Sequence, residues 1–266
     1  MSVLGAARGG EHAVVNRLDD AFARERPALI CYLPLGDPAV PADLADVYVE
    51  CGVDVLEIGV PAPNPYLDGP AIRDSMDRAR AAGVDPRSAA ELTARLRERH
   101  PDQAAVWMSY GSLVEADELV ALARRAEVDA MLFPEPARHF EPLGQALSGA
   151  GVHLLHFLSY ELPPVDVVAA QSSGGYLMLQ AIPGVTGSWS KRTPLPDSRE
   201  RIDRLRAAGV DTPIALGVGI STPRQAAQAV AMGADGVIVG STMVERGLRG
   251  RAALRRQLRE LRQAVS

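Results

Sequence analysis

The sequence predicts an α/β protein of the (β/α)8-barrel class, folded as one domain over residues 1–266. Three observations carry this. The chain has 266 residues, close to the roughly 250 that one such barrel occupies. Short aliphatic or β-branched runs alternate with longer amphipathic segments rich in Arg, Ala and Leu, the pattern of repeated βα units around a parallel sheet. The short runs are apolar nearly throughout, as befits strands covered on both faces, and eight of them can be counted. A doubly wound open sheet is the competing architecture, but eight such strands close more readily into a barrel.

In chain order the predicted strands are Ala28–Pro34, Val53–Gly59, Ala104–Tyr110, Ala130–Phe133, Val152–Phe157, Gly175–Ala181, Pro213–Gly217 and Gly236–Val239. Predicted crossover helices include Pro41–Cys51, Ala116–Ala126, Arg199–Ala208 and Pro223–Met232. In the last, Thr222 is an N-cap and Pro223 occupies the first helical turn, where its missing N–H costs nothing. Two segments exceed the simple repeat. A helix near Arg17–Arg24, capped by Asn16, precedes the first strand, and Gly69–Ala82 adds a helix after strand two, ahead of Pro86–Arg99. Residues 1–12 match no element and are expected to form a flexible extension.

Composition removes several classes of function. The net charge is −5 and the arginines are interleaved with acids, so no basic stripe exists to neutralise a nucleic-acid backbone. No apolar run approaches the ~20 residues that span a bilayer, and the N-terminus lacks the pattern of a signal peptide, so no membrane partner and a cytoplasmic location are expected. Cys31 and Cys51 lie in apolar runs without metal-ligand spacing, and are expected to be buried reduced thiols, with no metal site.

In a barrel of this class, chemistry sits at the carboxyl ends of the strands. Glu57 ends the second strand between Leu56 and Ile58, and apolar surroundings favour its neutral, proton-donating form. Asp68 follows in the loop Pro61–Asp68, where it can stay ionised, and such a split separates an acid from a charge-bearing base. Structural readings stand beside these roles: a rim ion pair for Glu57, and an N-cap at Gly69–Pro70 for Asp68. Gly217–Val218–Gly219–Ile220–Ser221 closes strand seven, and Gly240–Ser241 follows strand eight, just before a helix. Barrels commonly hold phosphate at that point, using backbone N–H groups that glycine lets an anion approach. After strand six, Pro183–Gly184–Val185–Thr186–Gly187 reads as a lid whose Thr186 can bond a carboxylate on closing. Lys191 and Arg192, just beyond it, read as a solvated pair.

These motifs together resemble the tryptophan synthase α subunit family. The resemblance runs from about Arg17 to the last helix and is carried by Leu35–Gly36–Asp37–Pro38, the Glu57 segment with Asp68–Gly69–Pro70, Gly184–Val185–Thr186–Gly187, Gly217–Val218–Gly219–Ile220–Ser221 and Gly240–Ser241. It implies a TIM barrel and a retro-aldol cleavage of indole-3-glycerol phosphate to indole and glyceraldehyde 3-phosphate, with no cofactor. By the same resemblance Glu57 protonates the ring carbon and Asp68 accepts the indole N–H. Gly187, Gly217, Gly219, Gly240 and Ser241 hold the phosphate. Ile72, Met108, Tyr110, Met178, Gln180, Gly184 and Thr186 contact the rest of the substrate.

The chain departs from the family pattern in places. Ala62–Pro63–Asn64–Pro65 replaces the usual loop after strand two, which in the family helps contact a β subunit. Ser112 stands where an asparagine is usual, Glu135–Pro136 forms a shortened turn, and the family's pocket tyrosine falls at Met178. Period-two alternation puts Tyr176, Met178 and Gln180 on the inward face. Gln180 there needs a hydrogen-bond partner, supplied either by backbone or by a ligand such as a modified aryl ring. The alternatives to an α subunit are therefore a free-standing lyase with a modified aryl substrate, or a non-catalytic activating subunit. A Schiff-base aldolase is disfavoured, because the chain's only lysine is Lys191, on the lid.

Overall fold

The computed structural model describes residues 16–111, 114–135 and 141–266. The expectation for residues 1–12, and those for Ser112 and Pro136, lie outside the described residues. Strands β1 (Ala28–Pro34), β2 (Val55–Gly59), β3 (Ala104–Met108), β4 (Ala130–Phe133), β5 (His153–Leu158), β6 (Leu177–Gln180), β7 (Ile214–Gly217) and β8 (Gly236–Val239) form a closed barrel in sequence order. All pairings are parallel, and β8 closes on β1 through Ala28↔Gly236 to Cys31↔Val239.

Strand alternation divides the apolar residues into two cores. Ile30, Val55, Val106, Leu132, Leu155, Tyr176, Met178, Ala215 and Ile238 fill the barrel interior. The opposite faces pack against the surrounding helices, and Cys31 and Cys51 are buried free thiols within that layer. Helix α1 (Arg17–Phe22) plugs the amino end of the barrel. Its Leu18 is fully buried, and Phe22 lies 5.3 Å from the Tyr176 ring, centroid to centroid. Asn16 caps it, accepting from the Leu18 N–H while its own amide donates to the Asp129 carbonyl.

The amino end is also laced by a repeated device that the sequence reading did not find. Asp54, Asp129 and Asp235 stand immediately before β2, β4 and β8, and each carboxylate accepts a backbone N–H from the preceding strand's Leu29, Ala105 or Ile214. Each is also paired with arginine: Asp54 with Arg24, Arg26 and Arg262, Asp129 with Arg17, and Asp235 with Arg206.

The remaining helices are α2 (Leu44–Glu50), α3 (Pro70–Ala81), α4 (Pro86–Arg99), α5 (Ala116–Ala126), α6 (Glu141–Ser148), α7 (Pro164–Ala170), α8 (Arg199–Ala207), α9 (Pro223–Ala231), α10 (Ser241–Gly247) and α11 (Arg251–Ala264). The additional helix after strand two is α3, and Thr222 caps α9 by accepting from the Gln225 N–H. Helix α2 begins three residues later than expected from Pro41, because the Pro41 carbonyl is used in a turn that receives the Leu44 N–H. Strand β3 stops at Met108 rather than Tyr110, so the Tyr110 side chain is carried out of the sheet toward the barrel mouth. Asp37, after β1, accepts from Ser75 and Arg78 and thereby anchors α3 beside the mouth. No helix among the described residues is long and apolar enough to cross a membrane.

Candidate active site

The carboxyl end of the barrel holds a cleft of about 440 Å³ lined by Tyr32, Glu57, Asp68, Ile72, Met108, Met178, Thr186, Gly187, Val218, Gly219, Ile220, Ile238, Gly240 and Ser241. A second space of about 340 Å³ shares Asp68, Met108, Met178, Thr186 and Val218, and adds Leu132, Phe157, Gln180 and Gly184 among others. The shared walls make these two lobes of one site.

Glu57 faces inward from β2 and is 4% exposed. It makes no ion pair among the described residues, so the rim ion-pair reading has no support, and its Oε1 has no hydrogen-bond partner. Burial, and secondarily the charge of Asp68, push its carboxyl up to about 8. A carboxylic acid in that position carries its proton at neutral pH. Asp68 is equally buried but is solvated by side chains: Tyr110 donates to Oδ2 at 2.8 Å and Thr186 to Oδ1 at 3.1 Å. Burial raises its pKa to about 6 against the opposing effect of these two donors and Arg73, leaving it ionised at neutral pH. Asp68 does not cap α3. The cap residue is Gly69, which has no side chain to bond the helix.

The lid is seated on these groups. Thr186 donates its backbone N–H to the Leu67 carbonyl at 3.1 Å, and its hydroxyl accepts from the Gly69 N–H at 2.8 Å. A Cβ at position 69 would stand 2.0 Å from the Thr186 carbonyl oxygen, so only glycine allows this approach. The lid's far side is fastened to α9, where Gln225 donates to the carbonyls of Ser190 and Thr193. Lys191 pairs with Glu245 on the surface at 2.5 Å.

At the opposite end of the cleft, Gly187, Gly219, Gly240 and Ser241 converge. Gly219 has φ of +92°, and Val218 before it has φ of +61°, a left-handed backbone that a β-branched residue adopts only under constraint. This strained valine lines both lobes, and strain of this kind concentrates at functional sites.

Two expected site residues, Gly217 and Tyr110, have different positions from those anticipated. Gly217 does not line the cleft. Its missing side chain instead makes room inside the barrel for Met178, whose Cε would be 2.6 Å from a Cβ there. Tyr110 lies behind Asp68 and orients it rather than forming a wall. Gln180 does reach the second lobe, but its amide is bonded to backbone on both sides, accepting from Tyr160 N–H at 3.0 Å and donating to the Gly184 carbonyl at 2.7 Å. Tyr32 was not singled out in the sequence, and Val218 entered only as a member of the Gly217–Ser221 motif, not as a cleft residue. The inward alternation of β1 could have signalled Tyr32, whereas nothing local marks Val218. Among the described residues no group of His, Cys, Asp and Glu is arranged to hold a metal ion.

Fold and site define a (β/α)8 barrel with two buried carboxyl groups, Glu57 and Asp68, in one cleft at its carboxyl end, bordered by the loop after β6 and by glycine-lined backbone. Comparison with known proteins places it further. Residues 18–265 match the family model for the tryptophan synthase alpha chain. The chain is 34% identical over 259 residues to the tryptophan synthase alpha chain of Novosphingobium aromaticivorans, covering 95% of this chain and 96% of that one. It is 32% identical over 270 residues to the one from Zymomonas mobilis, with 95% and 97% covered. A solved structure of Mycobacterium tuberculosis tryptophan synthase superposes with a TM-score of 0.81 at 29% identity, covering 94% of this chain and 96% of that one. The chain belongs to the tryptophan synthase alpha chain family.

Proposed function

We propose that the protein is a carbon–carbon lyase that splits indole-3-glycerol phosphate into indole and glyceraldehyde 3-phosphate by a retro-aldol reaction. The observation that carries this reading is the unequal protonation of two buried carboxyl groups in one cleft, Glu57 at about 8 and Asp68 at about 6. Around neutral pH that pair offers one proton donor and one fixed negative charge, as an acid-initiated cleavage needs.

In this reaction the proton of Glu57 passes to the ring carbon bearing the side chain. Positive charge then spreads to the ring nitrogen, whose N–H Asp68 accepts, and an anion placed where positive charge develops lowers the barrier. The carbon–carbon bond breaks with its electrons returning to the ring, while the adjacent hydroxyl becomes the aldehyde and gives its proton back to Glu57. Ile72, Met108 and Met178 supply the apolar walls for the ring, and Gly187, Gly219, Gly240 and Ser241 take the phosphate. Thr186 holds the lid on Asp68 and keeps water out. Gln180 and Gly184 fix one another, so in this reading they shape the aryl lobe rather than recognise the ring directly. The chemistry uses side-chain acid and base alone and calls on no cofactor.

The setting is tryptophan biosynthesis in the cytoplasm, with a β subunit docking on the mouth of the barrel. Tyr66, 46% exposed on the divergent loop after β2, is available to such a partner. Purified protein should release indole from indole-3-glycerol phosphate, and the assay run with and without a β subunit separates a subunit from a free-standing lyase. Absence of turnover in both arms would overturn the proposal.

A further inference from the structure

Tyr32 lies on the inward face of β1, paired in register with Glu57 on β2, and lines the same cleft. It is 2% exposed. Its oxygen occupies the room above Gly59, where a Cβ would stand 1.9 Å away. Gly59 is two residues beyond Glu57, on the same face of the strand. The phenol oxygen therefore hangs on the mouth side of the Glu57 carboxyl, close to both Glu57 and Asp68, and burial and the charge of Asp68 hold its proton firmly in place.

The other buried phenols of this region are engaged: Tyr48 donates to the Tyr32 carbonyl and Tyr110 donates to Asp68. Tyr32 has no such partner among the described residues; only burial and charge act on its hydroxyl. Tyr176 likewise has an unpartnered hydroxyl, but it is sealed in the barrel interior and lines neither lobe of the site. An unpaired hydroxyl that opens onto a cleft is free to donate to an acceptor that a ligand brings to it.

Taking the lyase reaction above as its basis, we propose that Tyr32 is a further catalytic residue, whose hydroxyl donates a hydrogen bond to the substrate's side-chain oxygen next to the breaking bond. That oxygen must lie beside Glu57, which takes its proton, and the Tyr32 hydroxyl is the neighbouring donor. When the carbon–carbon bond breaks, its electron pair goes to the ring. A lone pair of the oxygen forms the new carbonyl bond, and the hydroxyl proton passes to the Glu57 carboxylate, restoring the acid for the next turnover. Negative charge builds on the oxygen as its proton departs, and the phenol stabilises it without giving up its own proton.

Tyr32→Phe removes the hydroxyl and keeps the ring that packs in the cleft. The intact variant should lose roughly 10- to 100-fold in kcat on indole-3-glycerol phosphate, with KM changed by less than about twofold. An indole carrying a propyl phosphate chain without hydroxyls gives the control: it should bind the variant and the parent protein alike, which also shows that the variant is folded. A kcat within about twofold of the parent overturns the role. So does a matching loss of affinity for the deoxygenated analogue, which would assign the effect to packing of the ring. If the parent protein itself releases no indole, the lyase reading fails first and takes this role with it, an outcome distinct from either result on the variant.

Discussion

Replacing Glu57 by Gln should stop turnover and, at the same time, make the protein more stable above mildly acidic pH. The reason is in the burial of this carboxyl. Its pKa is raised from an ordinary 4.5 to about 8 in the folded chain. Between those values the folded state binds a proton that the unfolded state has released, so stability falls as pH rises. The loss begins near the unfolded value and is complete only above the folded one. The displacement, at about 1.36 kcal/mol per pH unit, amounts to a destabilisation on the order of 5 kcal/mol at alkaline pH and roughly 3 kcal/mol at pH 7. Glutamine does not titrate, and it replaces the acid with a group of nearly the same shape. Urea unfolding of both proteins at a series of pH values from about 4 to 9 gives the test. The stability difference should be small at the acid end and widen in favour of Gln by about 1.4 kcal/mol per unit until it levels off. Parallel curves across this range would show that Glu57 is not a buried neutral acid, and the assignment of proton donor would fall with it.

Other expectations follow from the same geometry. The pH profile of kcat/KM should be bell-shaped, rising as Asp68 ionises near 6 and falling as Glu57 loses its proton near 8. Tyr110→Phe removes a donor that favours the charged form of Asp68, so the acid limb should move to higher pH while the alkaline limb stays; an unmoved acid limb would refute the assignment. Gly69→Ala places a Cβ against the Thr186 carbonyl and should keep the lid from seating, lowering kcat by about 10- to 100-fold; stopped-flow or steady-state turnover measures it, and an unimpaired variant would contradict the closed lid as the active form. Asp54→Asn, far from the cleft, leaves Arg24, Arg26 and Arg262 without their shared carboxylate and should cost about 3–5 kcal/mol in urea unfolding, with kcat per folded molecule unchanged.

The barrel was readable because its signals are local. Each strand is a short aliphatic run such as Ala28–Pro34, and helix starts such as Thr222–Pro223 declare themselves within three or four residues. Order along the chain then placed the glycines at the ends of strands seven and eight, of which Gly219 and Gly240 line the cleft. Where the sequence reading strayed, the deciding contact lay far along the chain. Gly217 had the right neighbours for a phosphate glycine, but it makes room for Met178 on the preceding strand, β6. Tyr110 had the right ordinal place for a pocket wall, but the end of β3 turns it onto Asp68, 42 residues earlier. The aspartates at positions 54, 129 and 235 carry no motif at all. Their common role is visible only when three pairs of strands are seen side by side.

The two carboxyl groups mark the boundary most clearly. Sequence alone determined that Glu57 and Asp68 stand at the carboxyl end of strand two, since strand period and loop length settle that locally. Leu56 and Ile58 beside Glu57, and the loop position of Asp68, already pointed to a neutral Glu57 and an ionised Asp68; which donors hold Asp68 charged, and that the Tyr32 phenol stands beside the pair, was decided only by tertiary structure. Ionisation depends on how much water the whole fold removes from a group and which donors it returns. For Asp68 those donors are Tyr110 and Thr186, brought from two other strand ends, and for Glu57 the Oε1 atom receives none.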